Sequence, residues 1–280
     1  MKFGCHLSIR DGYLAAANHA LAIQASAFQY FPKNPRSLSI KNYDACDAGR
    51  CREYCLEHHI ISVAHTPYPA NLTPTGKKKV RLISSLLNDL EIADSCGSIG
   101  AVVHFGNQTS GTDPLSAYQL IIETLNRILA QWKGKCKLLL ENNAGPPGSF
   151  GTTLEEMVQV RNLSSFPDKI GFCLDTCHAF ASGIWNGENT RTFLDRGTAL
   201  GYFDGLEVIH LNNSLYPAGQ GKDRHANIFS GGYITEEQMH SLLSAPELRQ
   251  IPCILETPKN SENGHEQEIM QLNKKWGMLH

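Results

Sequence analysis

The chain has 280 residues, of which 41% are hydrophobic and 19% charged, and its formal net charge is −2. This length suits one large α/β domain or two small ones. There is no apolar run of the roughly 18 residues that a membrane helix needs, and the N-terminus lacks the long apolar region of a signal peptide. We therefore expect a soluble, cytoplasmic protein. The nearly balanced charge argues against a general nucleic-acid coat protein, but it allows a local basic rim around an acidic metal centre.

Nine cysteines are scattered along the chain without a CxxC pair. Cys5, Cys136, Cys173 and Cys253 stand in apolar, strand-like runs. This distribution is typical of buried, reduced thiols in a reducing compartment, and we expect no structural disulfide.

Short apolar runs alternate with longer amphipathic ones, which is the pattern of repeated β-α units. In chain order, the predicted strands span Phe3–Leu7, Ala27–Phe31, Ile60–His65, Ser98–His104, Lys137–Glu141, Ile170–Leu174, Leu206–Leu211 and Ile251–Glu256. The predicted helices between and after them span Gly12–Ile23, Tyr43–His58, Gly76–Ser95, Pro114–Trp132, Thr153–Val160, Thr190–Leu200, Ile234–Leu243 and Glu266–Trp276. Asp11 is the expected N-cap of the first helix.

Eight such strands, with no linker or composition break between them, predict an α/β fold: a single (β/α)8 TIM barrel over residues 1–280. An open, doubly wound sheet is the alternative, but the glycine-rich phosphate fingerprint expected after its first strand is absent. In a TIM barrel we expect the functional site at the C-terminal rim of the strands.

Six successive strands each deliver a potential metal ligand at their C-terminal ends. These residues are His65, His104, Glu141, Asp175, His210 and Glu256. Any one of them alone has a structural explanation, such as a loop cap or a salt bridge. Six such residues on successive strands would converge on one rim of the barrel. Ordinary contacts of polar side chains with solvent do not explain this pattern, which predicts a metal site.

The loops add three more candidate ligands. His178 follows Asp175 by one helical turn, although Asp175 could equally be an N-cap beside a chance histidine. Asp223 and His225 are separated by one residue, so both side chains can point the same way in an extended segment. His6 ends the first strand in a similar way, and we assign it a structural role.

Imidazole and carboxylate ligands without a thiolate favour Zn²⁺, with Mn²⁺ or Fe²⁺ as alternatives. Nine candidate ligands exceed what one ion needs and would accommodate three ions, with one carboxylate bridging. Clustered divalent ions lower the pKa of bound water and clamp the attacking and leaving oxygens of a phosphoryl transfer. The predicted reaction is therefore metal-assisted hydrolysis, with a phosphodiester as the expected substrate.

Several segments resemble the endonuclease IV family, which are zinc-dependent apurinic/apyrimidinic endonucleases built on a (β/α)8 barrel. The segments are Leu138–Gly145, Cys173–Gly183, His210–Asn212, Asp223–His225 and Ile254–Thr257. The resemblance runs from Lys2 to Glu256 and implies three zinc ions. The implied ligand sets are His65, His104 and Glu141; Glu141, Asp175, His210 and Glu256; and His178, Asp223 and His225.

The resemblance also implies an activity on double-stranded DNA by a monomer without membrane association. A water or hydroxide held between zinc ions would attack the phosphorus 5′ to an abasic site, leaving a 3′-hydroxyl and a 5′-deoxyribose phosphate. Glu141 would position this nucleophile as the catalytic residue. The family flips the abasic nucleotide out of the duplex. Arg36 and Tyr68 match positions that enter the duplex, and Lys222 and Arg224 would meet phosphates.

The sequence departs from the family pattern at four places. Where the family has His-Pro-Gly, this chain has His104-Phe105-Gly106. Where the family has His-Leu-Asn-Asp, the segment that starts at His210 ends with Asn213 in place of the aspartate. Segment 227–232, after Asp-Arg-His, lacks the family's glutamate, and Tyr68 is followed by Pro69, which reshapes that loop. No departure removes a ligand, so all four concern lesion recognition, product range and rate.

A sugar isomerase or epimerase of the xylose-isomerase-like barrel class is the alternative function. It would need only Glu141, Asp175, His210 and Glu256, around one or two ions, and would leave the other five candidate ligands without a role. A barrel that binds DNA or stores metal without turnover is a third hypothesis.

Overall fold

The computed structural model describes residues 1–106, 113–145, 148–259 and 264–277. Its strands, in chain order, are β1 (Phe3–His6), β2 (Ala27–Tyr30), β3 (Ile61–His65), β4 (Gly100–His104), β5 (Lys137–Glu141), β6 (Ile170–Asp175), β7 (Leu206–His210), β8 (Asn213–Ser214), β9 (His225–Ala226) and β10 (Cys253–Leu255). Strands β1 to β7 and β10 close into a parallel barrel, in which β1 pairs with both β2 and β10. The predicted (β/α)8 barrel is confirmed, whereas a single domain over residues 1–280 stays a prediction.

The helices of the described residues surround this barrel. They are α1 (Tyr13–Ala22), α2 (Ala45–Glu57), α3 (Gly76–Ser95), α4 (Pro114–Gln131), α5 (Leu154–Leu163), α6 (Thr176–Ser182), α7 (Thr190–Leu200), α8 (Glu236–Leu243) and α9 (Glu266–Trp276). The predicted boundaries of α3, α7 and α9 agree with the structure. Strands β8 and β9, which form a separate antiparallel ribbon, are missing from the sequence-based prediction because two-residue strands leave no periodic pattern.

The predicted cap of the first helix is wrong. Gly12, not Asp11, occupies the N-cap position of α1 and offers no side chain. Asp47 of α2 takes over this role, since its carboxylate accepts a hydrogen bond from Tyr13 N at 2.6 Å. Gly12 has a φ of 112°, and a Cβ there would lie 2.8 Å from that carboxylate. The two helices therefore meet at a point that requires glycine.

A narrow apolar layer fills the middle of the barrel. It consists of Ala27, Val63, Val102, Leu139, Cys173, Val208 and Ile254, one from each barrel strand except β1. Gly4 stands at the matching position of β1, where a Cβ would lie 1.7 Å from Ala27 O. A larger apolar cluster packs the strands against the helices.

The side chains two residues further along each strand point into the same interior, one step nearer the C-terminal rim. We call them the upper layer. It consists of His6, Gln29, His65, His104, Glu141, Asp175, His210 and Glu256. Every member is polar, so the apolar interior ends directly beneath a ring of polar and ionisable groups.

Among the described residues, no helix is both long enough and apolar enough to cross a membrane. All nine cysteines are free thiols, and every one except Cys46 is buried. Buried thiols of this kind act as small apolar side chains that fill the core.

Candidate metal centre

The upper layer and the loops above it bring together the nine residues that the sequence predicts as metal ligands. Their ligand atoms fall into three groups, and the atoms of each group lie within 4.8 Å of one another. The groups are His65, His104 and Glu141; Glu141, Asp175, His210 and Glu256; and His178, Asp223 and His225. These groups coincide with the three sets implied by the family resemblance.

Glu141 lies at the centre of this arrangement. Its Oε2 is 3.5 Å from both His65 Nε2 and His104 Nδ1, and its Oε1 is 3.1 Å from His210 Nδ1 and 3.4 Å from His178 Nδ1. Burial alone would raise the pKa of Glu141, but His104 and His210 hold that pKa well below its usual range. Glu141 is therefore an anion that touches histidines of all three groups.

Hydrogen bonds to carbonyl oxygens fix the orientation of three histidines. The Nδ1 atom of His65 lies 2.8 Å from Thr66 O, and that of His178 lies 2.9 Å from Asn142 O. The Nδ1 atom of His225 lies 3.3 Å from Glu256 O. A carbonyl oxygen can only accept, so each Nδ1 carries a hydrogen. The Nε2 atom of each ring is then the one presented to the cluster, as in histidines that bind metals.

Asp175 uses its two carboxylate oxygens for different tasks. Oδ1 accepts a hydrogen bond from His178 N at 2.7 Å and caps α6, while Oδ2 lies 3.6 Å from His225 Nε2. Asn212 donates to Oδ2 at 2.8 Å, and the Asn142 side chain bonds both Asp175 N and Asp175 O. The sequence left open whether Asp175 is an N-cap or a ligand, and its position suits both roles.

Sequence reasoning missed Gln29, which orients two of the predicted ligands. Its Nε2 donates to Glu256 Oε1 at 2.7 Å, and its Oε1 accepts from His210 Nε2 at 2.8 Å. The Nδ1 atom of His210 is thereby turned toward the cluster. Gln29 also lies 3.2 Å from His6 Nδ1, in keeping with a structural role for His6. The signal that could have found Gln29 is its spacing of two residues from the interior residue Ala27.

The β8–β9 ribbon carries the ligands predicted in the loop after β7. His225 belongs to β9, and Asp223 lies two residues before it. Asp223 Oδ1 is 3.3 Å from His225 Nε2, and its Oδ2 is 3.3 Å from His178 Nε2. Burial lowers the pKa of His225, but Asp175 and Asp223 outweigh this effect and raise the pKa to about 9. The surrounding carboxylates therefore favour positive charge at this point.

Within the described residues, two buried atoms of the cluster make no hydrogen bond, namely Glu141 Oε2 and His225 Nε2, although polar atoms lie 3.3–3.5 Å from each. Burying an unsatisfied polar atom is costly, and a buried charged atom more so. A cation next to both atoms would remove this cost. Imidazole nitrogens and carboxylate oxygens are ligands that suit Zn²⁺, Mn²⁺ and Fe²⁺. The residues present therefore fit divalent metal ions.

Cys173 and Cys177 also lie close to two of these groups. Burial raises the pKa of Cys173 to about 12 and also raises that of Cys177. Both thiols are therefore neutral in the metal-free protein, and the thiolate is the form that binds metals.

A cavity of about 330 Å³ opens above the centre. Its floor includes ligand residues from all three groups, and its walls include Phe31, Tyr68, Thr257 and Lys259. Asp175 and His210 are fully buried beneath it. The groups are thus reached from the C-terminal side of the barrel.

Arg36 and Tyr68, the residues predicted to enter the duplex, lie on two loops that are joined to each other. Tyr68 N donates to Pro35 O at 2.8 Å. The ring of Phe31 packs edge-on against the rings of Tyr68 and His65, with centroid distances of 5.1 and 5.3 Å. Arg36 is exposed and Tyr68 is 65% exposed at the cavity wall. Both side chains thus face solvent from loops that the hydrogen bond and the ring contacts hold together.

Lys222 and Arg224 flank Asp223 and are exposed. The Nζ atom of Lys222 lies 4.2 Å from the centre of the Tyr216 ring, and Arg224 donates to Asp223 O at 2.8 Å. Contact with DNA stays a prediction for these two residues, as it does for Arg36 and Tyr68.

Two departures from the family pattern have structural reasons. Asn213 Nδ2 donates to the carbonyl oxygens of Ile228 and Ile234 at 3.3 and 2.9 Å. An aspartate has no hydrogen to donate to them, so asparagine holds the loop before α8. Phe105 is fully buried against Gly151, where φ is 74° and a Cβ would lie 2.5 Å from the phenyl ring.

Glu268 of α9 is a second residue that sequence reasoning missed. Its carboxylate accepts hydrogen bonds from Ile228 N at 2.6 Å, from Asn227 Nδ2 at 3.0 Å and from Thr257 Oγ1 at 2.6 Å. It therefore joins the loop after His225 to the segment that follows Glu256. No local pattern in the sequence indicates contacts that reach 40 residues along the chain.

Comparison with known proteins gives consistent matches over nearly the whole chain. A family model described as a xylose isomerase-like TIM barrel matches residues 18–275. A protein of Symbiobacterium thermophilum named probable endonuclease 4 is 41% identical over 270 residues, which are 96% of this chain and 97% of that protein. Endonuclease IV from Thermus thermophilus has a crystal structure that matches with a TM-score of 0.86 at 28% identity, covering 99% of this chain and 98% of that one. A D-tagatose 3-epimerase-like protein matches with a TM-score of 0.69 at 19% identity, covering 99% and 97%, which shows a likeness of fold alone.

We predict that metal removal destabilises the protein, because Glu141, Asp175 and Glu256 would then lose the divalent charge and keep only the neighbouring histidines to balance them. A ligand at a thousandfold excess over its Kd contributes about 4 kcal/mol, and a chain of this size gains roughly 2–4 °C in Tm per kcal/mol. Calorimetry before and after chelation measures the loss. Zn²⁺ should restore the Tm, and Mg²⁺, which prefers oxygen ligands, should not. An unchanged Tm after complete chelation would contradict the metal centre.

Proposed function

The chain belongs to the endonuclease IV family of xylose isomerase-like TIM barrels, and we propose on this premise that it is an apurinic/apyrimidinic DNA-repair endonuclease. It hydrolyses the phosphodiester 5′ to an abasic site in duplex DNA and leaves a 3′-hydroxyl and a 5′-deoxyribose phosphate. The 41% identity to a probable endonuclease 4 over 96% of the chain supports this assignment. The cofactor is zinc, with three ions per chain.

The observation that carries the proposal is the meeting of three ligand groups at one carboxylate. Glu141 belongs to two of the groups and lies 3.4 Å from His178 of the third. One group alone would serve many metal enzymes, but two groups that share a carboxylate, with a third beside it, suit several ions acting on one phosphate. Five imidazoles among nine ligands favour zinc over the oxygen-preferring Mg²⁺ and Ca²⁺.

The residues of the chain divide the reaction between them. Divalent ions held by these groups, when bound, lower the pKa of a water molecule and neutralise charge on the phosphate. Glu141 supplies a fixed negative charge that orients the hydrogens of the attacking water. Gln29, Asn142 and Asn212 hold the ligands in place, so that the centre needs little reorganisation during the reaction. Tyr68 at the cavity wall and the exposed Arg36 on the adjoining loop meet the duplex, and Tyr68 fills the space left by the flipped nucleotide.

A sugar isomerase or epimerase remains the alternative. The group of Glu141, Asp175, His210 and Glu256 would suit such an enzyme, and the fold resembles that of an epimerase-like protein. That function gives no role to the cluster of His178, Asp223 and His225. The additional clusters, together with the close endonuclease relatives, favour DNA hydrolysis.

Glu141→Gln is expected to abolish incision while leaving the barrel folded, because the amide keeps the shape of the side chain but removes its charge. The loss of rate should exceed the roughly 10–100-fold that removal of an outer-shell partner costs a metal site. A gel assay on a duplex with one abasic site measures it. Glu207→Gln on β7, whose side chain instead pairs with Lys137, is the matched control. Near-normal incision by Glu141→Gln would contradict the shared-ligand role.

Tyr68→Ala is expected to weaken discrimination between abasic and intact duplex. Loss of one aromatic stacking contact, worth about 1–3 kcal/mol, would reduce the ratio of the two Kd values roughly tenfold. Fluorescence anisotropy with both duplexes gives the ratio, and Tyr68→Phe, which keeps the ring, should preserve it. An unchanged ratio in Tyr68→Ala would mean that this side chain does not enter the duplex.

A further inference from the structure

A second cavity, of about 490 Å³, lies beside the cavity above the metal centre. The two cavities share His6, Phe31 and Lys259 as lining residues. The second one runs between the loop after β1, which carries Arg10, and the loop after β2, which carries Lys41. We call it the basic groove. It is continuous with the approach to the metal centre.

The charge of the basic groove is one-sided. Four cations line it, namely Arg10, Lys33, Lys41 and Lys259, and none of the described residues that line it is acidic. Lys33 is neutralised by Asp89 at 3.2 Å, in a pair with both side chains buried. In the described part of the chain, Arg10, Lys41 and Lys259 form no ion pair with a carboxylate.

Lys41 is held firmly in place although no carboxylate of the described residues pairs with it. Its ammonium donates to Tyr13 OH at 2.8 Å and to Pro32 O at 3.2 Å, and it lies 4.7 Å from the centre of the Tyr13 ring. These partners are neutral and use two of its three hydrogens. The side chain is half-buried, and burial lowers its pKa. A partly desolvated charge of this kind would be stabilised by an anion.

The backbone of Lys41 is fixed as well. Its N–H donates to Asn88 Oδ1 at 2.8 Å, and Asn88 Nδ2 donates back to Lys41 O at 3.2 Å. Both bonds attach the loop to α3, as does the buried Lys33–Asp89 pair. The cation is therefore positioned before any ligand arrives, which lowers the entropic cost of binding.

The geometry points to a phosphate-binding subsite in the basic groove, centred on Lys41 with Arg10 and Lys259 as outer contacts, that takes backbone phosphates of the DNA flanking the lesion. This inference rests on the proposed function for the identity of the ligand. DNA is favoured over a free anion because the groove continues from the metal cavity, and its cations come from three separate loops. An extended polyanion presents several phosphates in succession, so that neighbouring phosphates can contact the cations of different loops.

The salt dependence of binding tests this subsite. Each phosphate contact that is lost should reduce the slope of log Kobs against log salt by roughly 0.9. We would measure binding to a duplex with an abasic analogue and a non-hydrolysable linkage at the scissile position, using metal-loaded protein. Arg10→Ala/Lys259→Ala removes two exposed cations of the groove. Lys133→Ala/Lys135→Ala is the matched control, with the same charge change in the loop before β5, at the opposite end of the barrel.

We expect the Arg10→Ala/Lys259→Ala double variant, the groove pair, to reduce the magnitude of this slope by about 1–2. The Lys133→Ala/Lys135→Ala double variant, the control pair, should leave the slope unchanged. Lys41→Met should lower it further, and its folding can be checked by its Tm. Equal slopes for wild type and the groove pair, or equal losses in both pairs, would overturn the subsite.

The same experiment separates this inference from the proposed function. If the wild type incises abasic duplex but the groove pair keeps the wild-type slope, the endonuclease assignment stands and the subsite is wrong. If the wild type does not incise but the groove pair lowers the slope on intact duplex, the assignment is wrong and the groove binds the DNA backbone.

Discussion

Everything at this site depends on the two-residue period of a β-strand inside a closed barrel. An interior side chain at one position forces the residue two places later into the same interior, one layer higher. In this chain the lower layer is apolar on seven strands, with Gly4 on β1, and the upper layer is polar on all eight. Leu139 below Glu141 and Val208 below His210 show the rule at the centre. The packing that closes the barrel therefore also directs its predicted ligands toward one point.

This concentration of charge needs a supporting shell. Gln29, Asn142 and Asn212 each bond a predicted ligand, and backbone carbonyls fix the rings of His65, His178 and His225. These contacts set positions, but among the described residues Glu141 Oε2 and His225 Nε2 make no hydrogen bond. The fold thus holds in advance a geometry whose cost is offset only when cations are present, which links metal binding to stability.

The sequence predicts the parts of this design that are local or periodic. Strand ends at His65, Glu141 and Asp175 follow from apolar runs that stop at a polar residue, and α3 follows from its amphipathic pattern. Gln29 escaped notice because an amide is not a typical zinc ligand, although its spacing places it in the upper layer. Asp11 was the wrong cap because Asp47, which is distant in sequence, reaches the same helix end. Contacts that depend on the closed barrel, such as those of Glu268, leave no local signal.

Anomalous diffraction at the zinc absorption edge tests the central claim most directly, using crystals of protein purified without added metal. We predict three peaks per chain: one beside His65 and His104, one beside Asp175, His210 and Glu256, and one beside His178, Asp223 and His225. Glu141 should lie between the first two. A single peak at Asp175, His210 and Glu256, with the other groups empty, would contradict the trinuclear centre and favour the isomerase.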